Sequence, residues 1–216
     1  MKIVMSSGHG KYIRGASGIL DEVDEARRVV ESVAAMMRAA GSEVTTFHDD
    51  TSHDQSTNLE TIVDFHNART RDLDISVHFN AYQSTASPMG TEVLYVTQSS
   101  LAAKVSGAIA SAAQLPNRGG KKRTDLYFLN NTEMPAILIE TCFVDSSTDA
   151  DHYHARYDDI CQAISDSIVG ESSEQPPVET QPPPVDVEEV VDVVITAPAG
   201  VRVDVRVVDG GERRSR

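Results

Sequence analysis

Three apolar runs in this chain each end in a residue that does not belong in a hydrophobic core. Lys2-Ile-Val-Met-Ser leads to His9, which stands between two glycines; Asp74-Ile-Ser-Val leads to His78; Ala136-Ile-Leu-Ile leads to Glu140. Runs this short read as strands, and Ala136–Ile139, with no polar residue to turn toward water, reads as a central strand covered on both faces. Such a strand needs helices on both sides of its sheet. The spacing supplies them over about Leu20–Ala40, closed by Gly41, then Leu59–Arg71, 99–113 and Asp149–Ile168. Further strands are expected at 43–47 and 91–97, with a short one at 126–129, and a loop at 49–56. Alternating strands and helices make residues 1–170 an α/β domain, whose sites gather at strand ends.

The character changes at Glu171. Residues 171–186 are rich in proline and lack apolar periodicity, which reads as an extended linker. Residues 187–216 follow as a small β segment, in which Val201, Val203, Val205 and Val207 alternate with Arg202, Asp204 and Arg206. An isolated hairpin is marginal in water, so this tail is expected to pair with a partner, another copy of itself included.

Charge narrows the partners. Net charge is −14; residues 171–216 hold ten acidic and five basic residues, which leaves −9 on residues 1–170. That balance argues against nucleic acid, which needs clustered Lys and Arg. The one basic run, Arg118–Arg123, reads as a solvated loop. No apolar stretch approaches the roughly 20 residues that span a bilayer, so no membrane role is expected. The first residues are too polar for a signal-peptide core, so the chain is expected to carry no export signal of its own and to reach its target by another route. Cys142 and Cys161 are the only cysteines and make no disulfide framework.

The candidate site is built from donors of different strength. Glycines beside His9 let backbone come close to a ligand and turn sharply. His78 shares a polar strand face with Ser76 and Asn80, opposite Ile75, Val77 and Phe79. Two imidazoles at strand ends suit a catalytic zinc, which takes a third protein ligand. Asp21, Glu22, Asp24 and Glu25 compete for that place. Steps of three or four from position 22 reach Ala26, Val29, Val30, Val33, Met37 and Ala40, all apolar, whereas Asp21 and Asp24 lead to Arg28, Glu31 and Ser32. A carboxylate heading the inward stripe is costly unless paired or bound to metal, and the helix dipole helps hold its charge. The plainer reading of Glu22 is an ordinary helix N-terminal acid. Glu140 has no nearby cation in sequence, with Arg118 its candidate partner through space. Burial should raise its pKa and suit it to proton transfer. Glu133, in a polar loop, is the rival acid. Cys142, two residues on, is expected on the face of Glu140 as a buried filler rather than a nucleophile. His152 and His154 are expected at the surface of a helix; His48, His53 and His66 are isolated and are given no role.

These pieces together resemble the zinc-dependent N-acetylmuramoyl-L-alanine amidases of the Amidase_3 family, in the form found in phage endolysins. The resemblance rests on Ile3-Val-Met-Ser-Ser-Gly-His9-Gly, Gly18-Ile-Leu-Asp-Glu22, Ile75-Ser-Val-His78-Phe-Asn-Ala, Gly90-Thr-Glu-Val-Leu-Tyr, Asn117-Arg-Gly and Met134-Pro-Ala-Ile-Leu-Ile-Glu140-Thr, in family order. It implies a twisted mixed sheet flanked by helices, similar to zinc carboxypeptidases. It implies Zn²⁺ held by His9, Glu22 and His78, with Glu140 catalytic, and peptidoglycan as the substrate. The bond cleaved would join N-acetylmuramic acid to L-alanine. One departure stands out: Leu59-Glu-Thr-Ile-Val-Asp-Phe-His-Asn67-Ala lacks the arginine that many members carry there. The rival readings are a carboxypeptidase-type amide hydrolase and a non-catalytic wall-binding module.

Overall fold

The structure, a computed structural model, describes residues 1–170. The linker and β-tail readings fall on residues 171–216 and lie outside the described residues. In chain order the elements are β1 (Lys2–Gly10), α1 (Glu22–Ala39), β2 (Glu43–Asp49), α2 (Gln55–Asn67), β3 (Leu73–Asn80) and β4 (Thr91–Tyr95). They continue with α3 (Ser99–Ala113), β5 (Asn117–Lys122), α4 (Tyr127–Asn131), β6 (Ala136–Phe143), α5 (Ser147–Ala155) and α6 (Tyr157–Val169).

The strands form one mixed sheet in the order β2-β1-β3-β6-β4-β5. Its neighbours run parallel except β6 and β4, which are antiparallel. Strand alternation sorts residues onto the two faces. Ile75, Val77 and Phe79 of β3 and Ile137 and Ile139 of β6 enter the larger core, under α1, α3 and α6. Leu138 joins Ile62, Val63, Leu94, Phe128 and Leu129 in a smaller core under α2 and α4. β3 and β6 are therefore covered on both sides, as an unbroken apolar run requires. Helix α1 buries Val23, Ala26, Val29, Val30, Val33 and Met37. Asp21 caps it, its side chain accepting from the Asp24 backbone N–H.

Several boundaries differ from expectation. Helix α2 starts a turn early because the Asp54 side chain accepts from the backbone N–H of Thr57 and caps it. Residues 126–129 are not a strand: Tyr127–Asn131 form the short helix α4, which covers the smaller core. The basic run is not a loop, since residues 117–122 are edge strand β5, beside β4. Lysine and arginine suit such an edge because they discourage a further strand from pairing. The last helical stretch breaks at Arg156 into α5 and α6.

A buried polar tie holds α2 to the sheet. His66 of α2 is fully buried, with Nδ1 2.7 Å from Asp74 Oδ1 on β3 and Nε2 3.0 Å from Ser6 Oγ on β1. Arg71 binds both oxygens of Asp74 at 2.7 and 2.9 Å. Burial, with the nearby arginines, lowers the pKa of His66. A neutral imidazole donates from Nδ1 to Asp74 and accepts the Ser6 hydroxyl at Nε2.

Candidate metal centre

His9 ends β1 in a strained backbone. Its φ is +60°, a left-handed value that only glycine adopts freely, and the pairing of β1 with β2 slips between Ser6 and Gly10. The slip leaves His9 outside the paired register of β1 and β2. His78 arrives on the adjacent strand, and its neighbour on the other side is Glu140, in register on β6. Glu22 comes from the first turn of α1. It is 3% exposed, the head of the inward stripe.

The donor atoms of His9, Glu22 and His78 lie within 4.8 Å of one another. Glu22 organises the group. Its Oε1 lies 3.0 Å from His78 Nδ1 and 3.5 Å from His9 Nε2, and accepts from the Phe79 backbone N–H at 3.2 Å. Its Oε2 accepts from the Ala16 N–H at 2.6 Å. Glycine is required at two places around it. A Cβ on Gly8 would fall inside the His78 ring; one on Gly15, itself at φ +67°, would meet Glu22 and His9.

Charge follows from this geometry. Burial drives the Glu22 carboxyl up, but the hydrogen bond and charge of His78, then the charge of His9, outweigh it and hold the carboxyl below its usual range. Burial drives His78 down, yet its bond to Glu22 outweighs this and leaves its pKa raised. His9 is lowered, by burial first and then by the charge of His78. The site thus favours positive charge beside Glu22. Glu140 is pushed up to about 7, by burial first and by the neighbouring carboxylates Glu22 and Glu92, against the charges of His78 and Arg123. Its Oε2 is buried with no hydrogen-bond partner.

All four residues line one cleft of about 580 Å³, walled by Leu94, Leu126, Phe128 and Leu138. The other acids at the start of α1 are used elsewhere. Asp21 and Asp24 bind Arg14, and Glu25 binds Arg28 and Tyr153. Glu133 is exposed. Arg118 does not reach Glu140; its Nε is 2.6 Å from Glu92 Oε2, an oxygen that Lys121 shares. Glu92 is 6% exposed and pairs in register with Glu140 across β4 and β6. Sequence reasoning missed it, although an acid between Thr91 and Val93 on an apolar strand was a usable signal. Cys142 does not share the face of Glu140. The β3–β6 register shifts just past Glu140, and the bulge turns Cys142 into the larger core. Of the isolated histidines, His48 bonds Ser7 and Glu31, and His53 stacks on Tyr12. His154 is exposed, and His152 lies against the Ala113 carbonyl.

Comparison with known proteins gives this geometry a context. Residues 3–169 match the family model Amidase_3, N-acetylmuramoyl-L-alanine amidase. An uncharacterized 38.4 kDa protein of Clostridium perfringens is 32% identical over 192 residues, which cover 82% of this chain and 55% of that one. The N-acetylmuramoyl-L-alanine amidase LytC of Bacillus subtilis is 30% identical over 180 residues, 77% of this chain and 34% of its own. The chain thus spans about half the length, or less, of these curated relatives. Among solved structures, the catalytic domain of the CD27L endolysin targeting Clostridia Difficile is similar, with TM-score 0.71 and 25% identity, covering 79% of this chain and 97% of that one. The amidase AmiC2 of Nostoc punctiforme is similar too, with TM-score 0.70 and 25% identity, covering 80% and 97%.

Proposed function

The chain belongs to the N-acetylmuramoyl-L-alanine amidase family, and from that premise we propose that it is a zinc-dependent peptidoglycan hydrolase. The bond cleaved joins N-acetylmuramic acid to L-alanine. One observation carries the reading. Three donors of the type zinc prefers converge beside a buried glutamate whose Oε2 has no protein partner.

The residues fit the metal. His9, Glu22 and His78 would hold it, with Glu22 pinned by two backbone N–H groups. Two glycines leave room where any side chain would intrude. Zinc bound there supplies Lewis acidity, lowering the pKa of water from about 15.7 to about 7. The protein's own chemistry centres on Glu140. Burial raises its pKa above that of an ordinary carboxyl, which suits it to accept a proton and give it up again. It takes the proton of the attacking water and delivers it to the amine of L-alanine as the amide breaks. Leu94, Leu126, Phe128 and Leu138 give the cleft an apolar wall. No serine or cysteine nucleophile is required.

Likeness to an endolysin catalytic domain supports a lytic role, with the enzyme held in the host cytoplasm and reaching the wall on release. Mass spectrometry of purified peptidoglycan tests the reaction, with zinc-loaded protein beside a chelated control. Stem peptides beginning with L-alanine, with intact glycan strands, are the expected products. Single amino acids would instead mark a carboxypeptidase.

A further inference from the structure

We propose that Arg123 reads the stem peptide of the substrate, its open guanidinium edge taking the free α-carboxylate of the residue that follows L-alanine. This assignment rests on the amidase reading above and adds a specificity residue to it.

The cleft offers one permanent cation. Among its lining residues Arg123 is the only lysine or arginine, and it shares the cleft with His9, His78 and Glu140. The neighbouring cations Arg118 and Lys121 are both held by Glu92. The Arg123 backbone is fixed: its N–H donates to the Tyr95 carbonyl at 2.9 Å, extending the pairing of β5 with β4 by one residue. Its side chain is oriented as well. Nε and Nη2 each donate to one oxygen of Asp125, both at 2.8 Å.

A guanidinium has two edges that can each hold a carboxylate with two parallel hydrogen bonds. Asp125 occupies the Nε–Nη2 edge. The Nη1–Nη2 edge remains, and no described residue accepts from Nη1. The Arg123 side chain is 43% exposed, so this edge is wet and available. Because Asp125 already orients the planar fork, a second carboxylate meets a pre-set donor pair, and less side-chain entropy is lost on binding.

Substrate chemistry places the carboxylates on the peptide side, and the one nearest the cleaved bond is the partner proposed. The sugar next to the cleaved bond is uncharged and offers hydroxyl and acetamido groups. On the peptide side, the residue after L-alanine is a D-glutamate linked through its side chain. Its α-carboxyl group is free in some walls and a carboxamide in others. A carboxylate presents two acceptors to the open edge. A carboxamide presents one acceptor and turns an NH₂ toward the second N–H, so one bond is lost and a donor faces a donor.

The test uses two synthetic tripeptides, L-Ala-γ-D-Glu-L-Lys and its α-carboxamide. Neither contains the bond that the amidase cleaves, so the readout is calorimetric binding to the full chain. The expected result is about tenfold tighter binding of the carboxylate form, in keeping with a charge-assisted pair at a partly exposed site. Arg123→Gln should abolish the preference while binding the carboxamide as before. Arg123→Lys, a point charge without the fork, should restore part of it. Equal binding of the two peptides by the unaltered chain, or a preference that survives Arg123→Gln, would overturn the assignment. Wall digestion is scored separately. Loss of stem-peptide release with the binding preference intact would refute the amidase reading and leave Arg123 as a carboxylate site.

Discussion

At the scale of single residues, the site is defined by what each side chain is denied. Glu140 is denied a hydrogen-bond partner and most of its water, and its carboxyl is pushed up to about 7 from an ordinary 4.5. The folded protein therefore holds that proton more tightly than the unfolded chain does. Stability is lost as pH rises from about 4.5 through 7, since the folded state must then carry a buried charge. In chelated protein, Glu140→Gln is expected to be more stable than the parent above pH 7, by up to about 3 kcal/mol. The difference should vanish below the ordinary carboxyl pKa, and denaturant melts across the pH range would measure it. For catalysis the same residue separates roles. Glu140→Ala should keep zinc and lose wall hydrolysis by at least a hundredfold, the usual contribution of a proton-transfer group. His9→Ala and His78→Ala should lose both, as metal analysis after gel filtration would record. Gly8→Ala belongs with the histidine variants, because the added methyl would occupy the place of the His78 ring.

At the scale of elements, the site depends on how strands and helices are tied together. β1 delivers His9, β3 delivers His78, and the buried His66–Asp74–Ser6 tie links α2 to both strands. His66→Ala would leave the Ser6 hydroxyl without that partner and open a cavity beside Phe128, on whose ring His66 packs edge-on. The expected loss is about 2–4 kcal/mol of stability, judged by denaturant midpoints. Activity of the surviving folded fraction would be little altered if the tie acts only on stability. Much of the element layout was legible beforehand. Five of the six strands, β1, β2, β3, β4 and β6, and the amphipathic α1 were expected from the pattern of the sequence. β5 was not legible, because Asn117-Arg-Gly-Gly-Lys-Lys has no apolar alternation. It is a strand only because β4 offers it an unpaired edge. α4 was misread for a related reason: a five-residue helix is too short for its period to show, and packing on the smaller core decides its form.

At the scale of the whole molecule, a six-stranded sheet brings together donors that are far apart in sequence. Zinc bound to the folded state but not to the unfolded chain should raise the melting temperature. At about a hundred times its Kd it contributes about 2.7 kcal/mol. A calorimetric scan that did not respond to zinc or to chelator would count against the metal assignment. The sheet and the site both lie within residues 1–170, so a chain ended at Gly170 is expected to fold and bind zinc. If residues 171–216 serve wall binding or self-association, that shortened chain should clear a cell suspension more slowly than the full one while releasing soluble stem peptides at an equal rate. What the sequence determined by itself was local: which stretches are buried strands, which helix face carries Glu22, and which strand ends hold His9, His78 and Glu140. These follow from hydrophobic periodicity, which each segment carries independently of its neighbours. The tertiary structure alone decided the pairing of Glu92 with Arg118 and Lys121, the bulge that parts Cys142 from Glu140, and the open edge of Arg123. The first two depend on register between strands distant in the chain, and the third on β5 carrying Arg123 to the cleft. Register is set by the packing of the whole sheet, so no single segment specifies it.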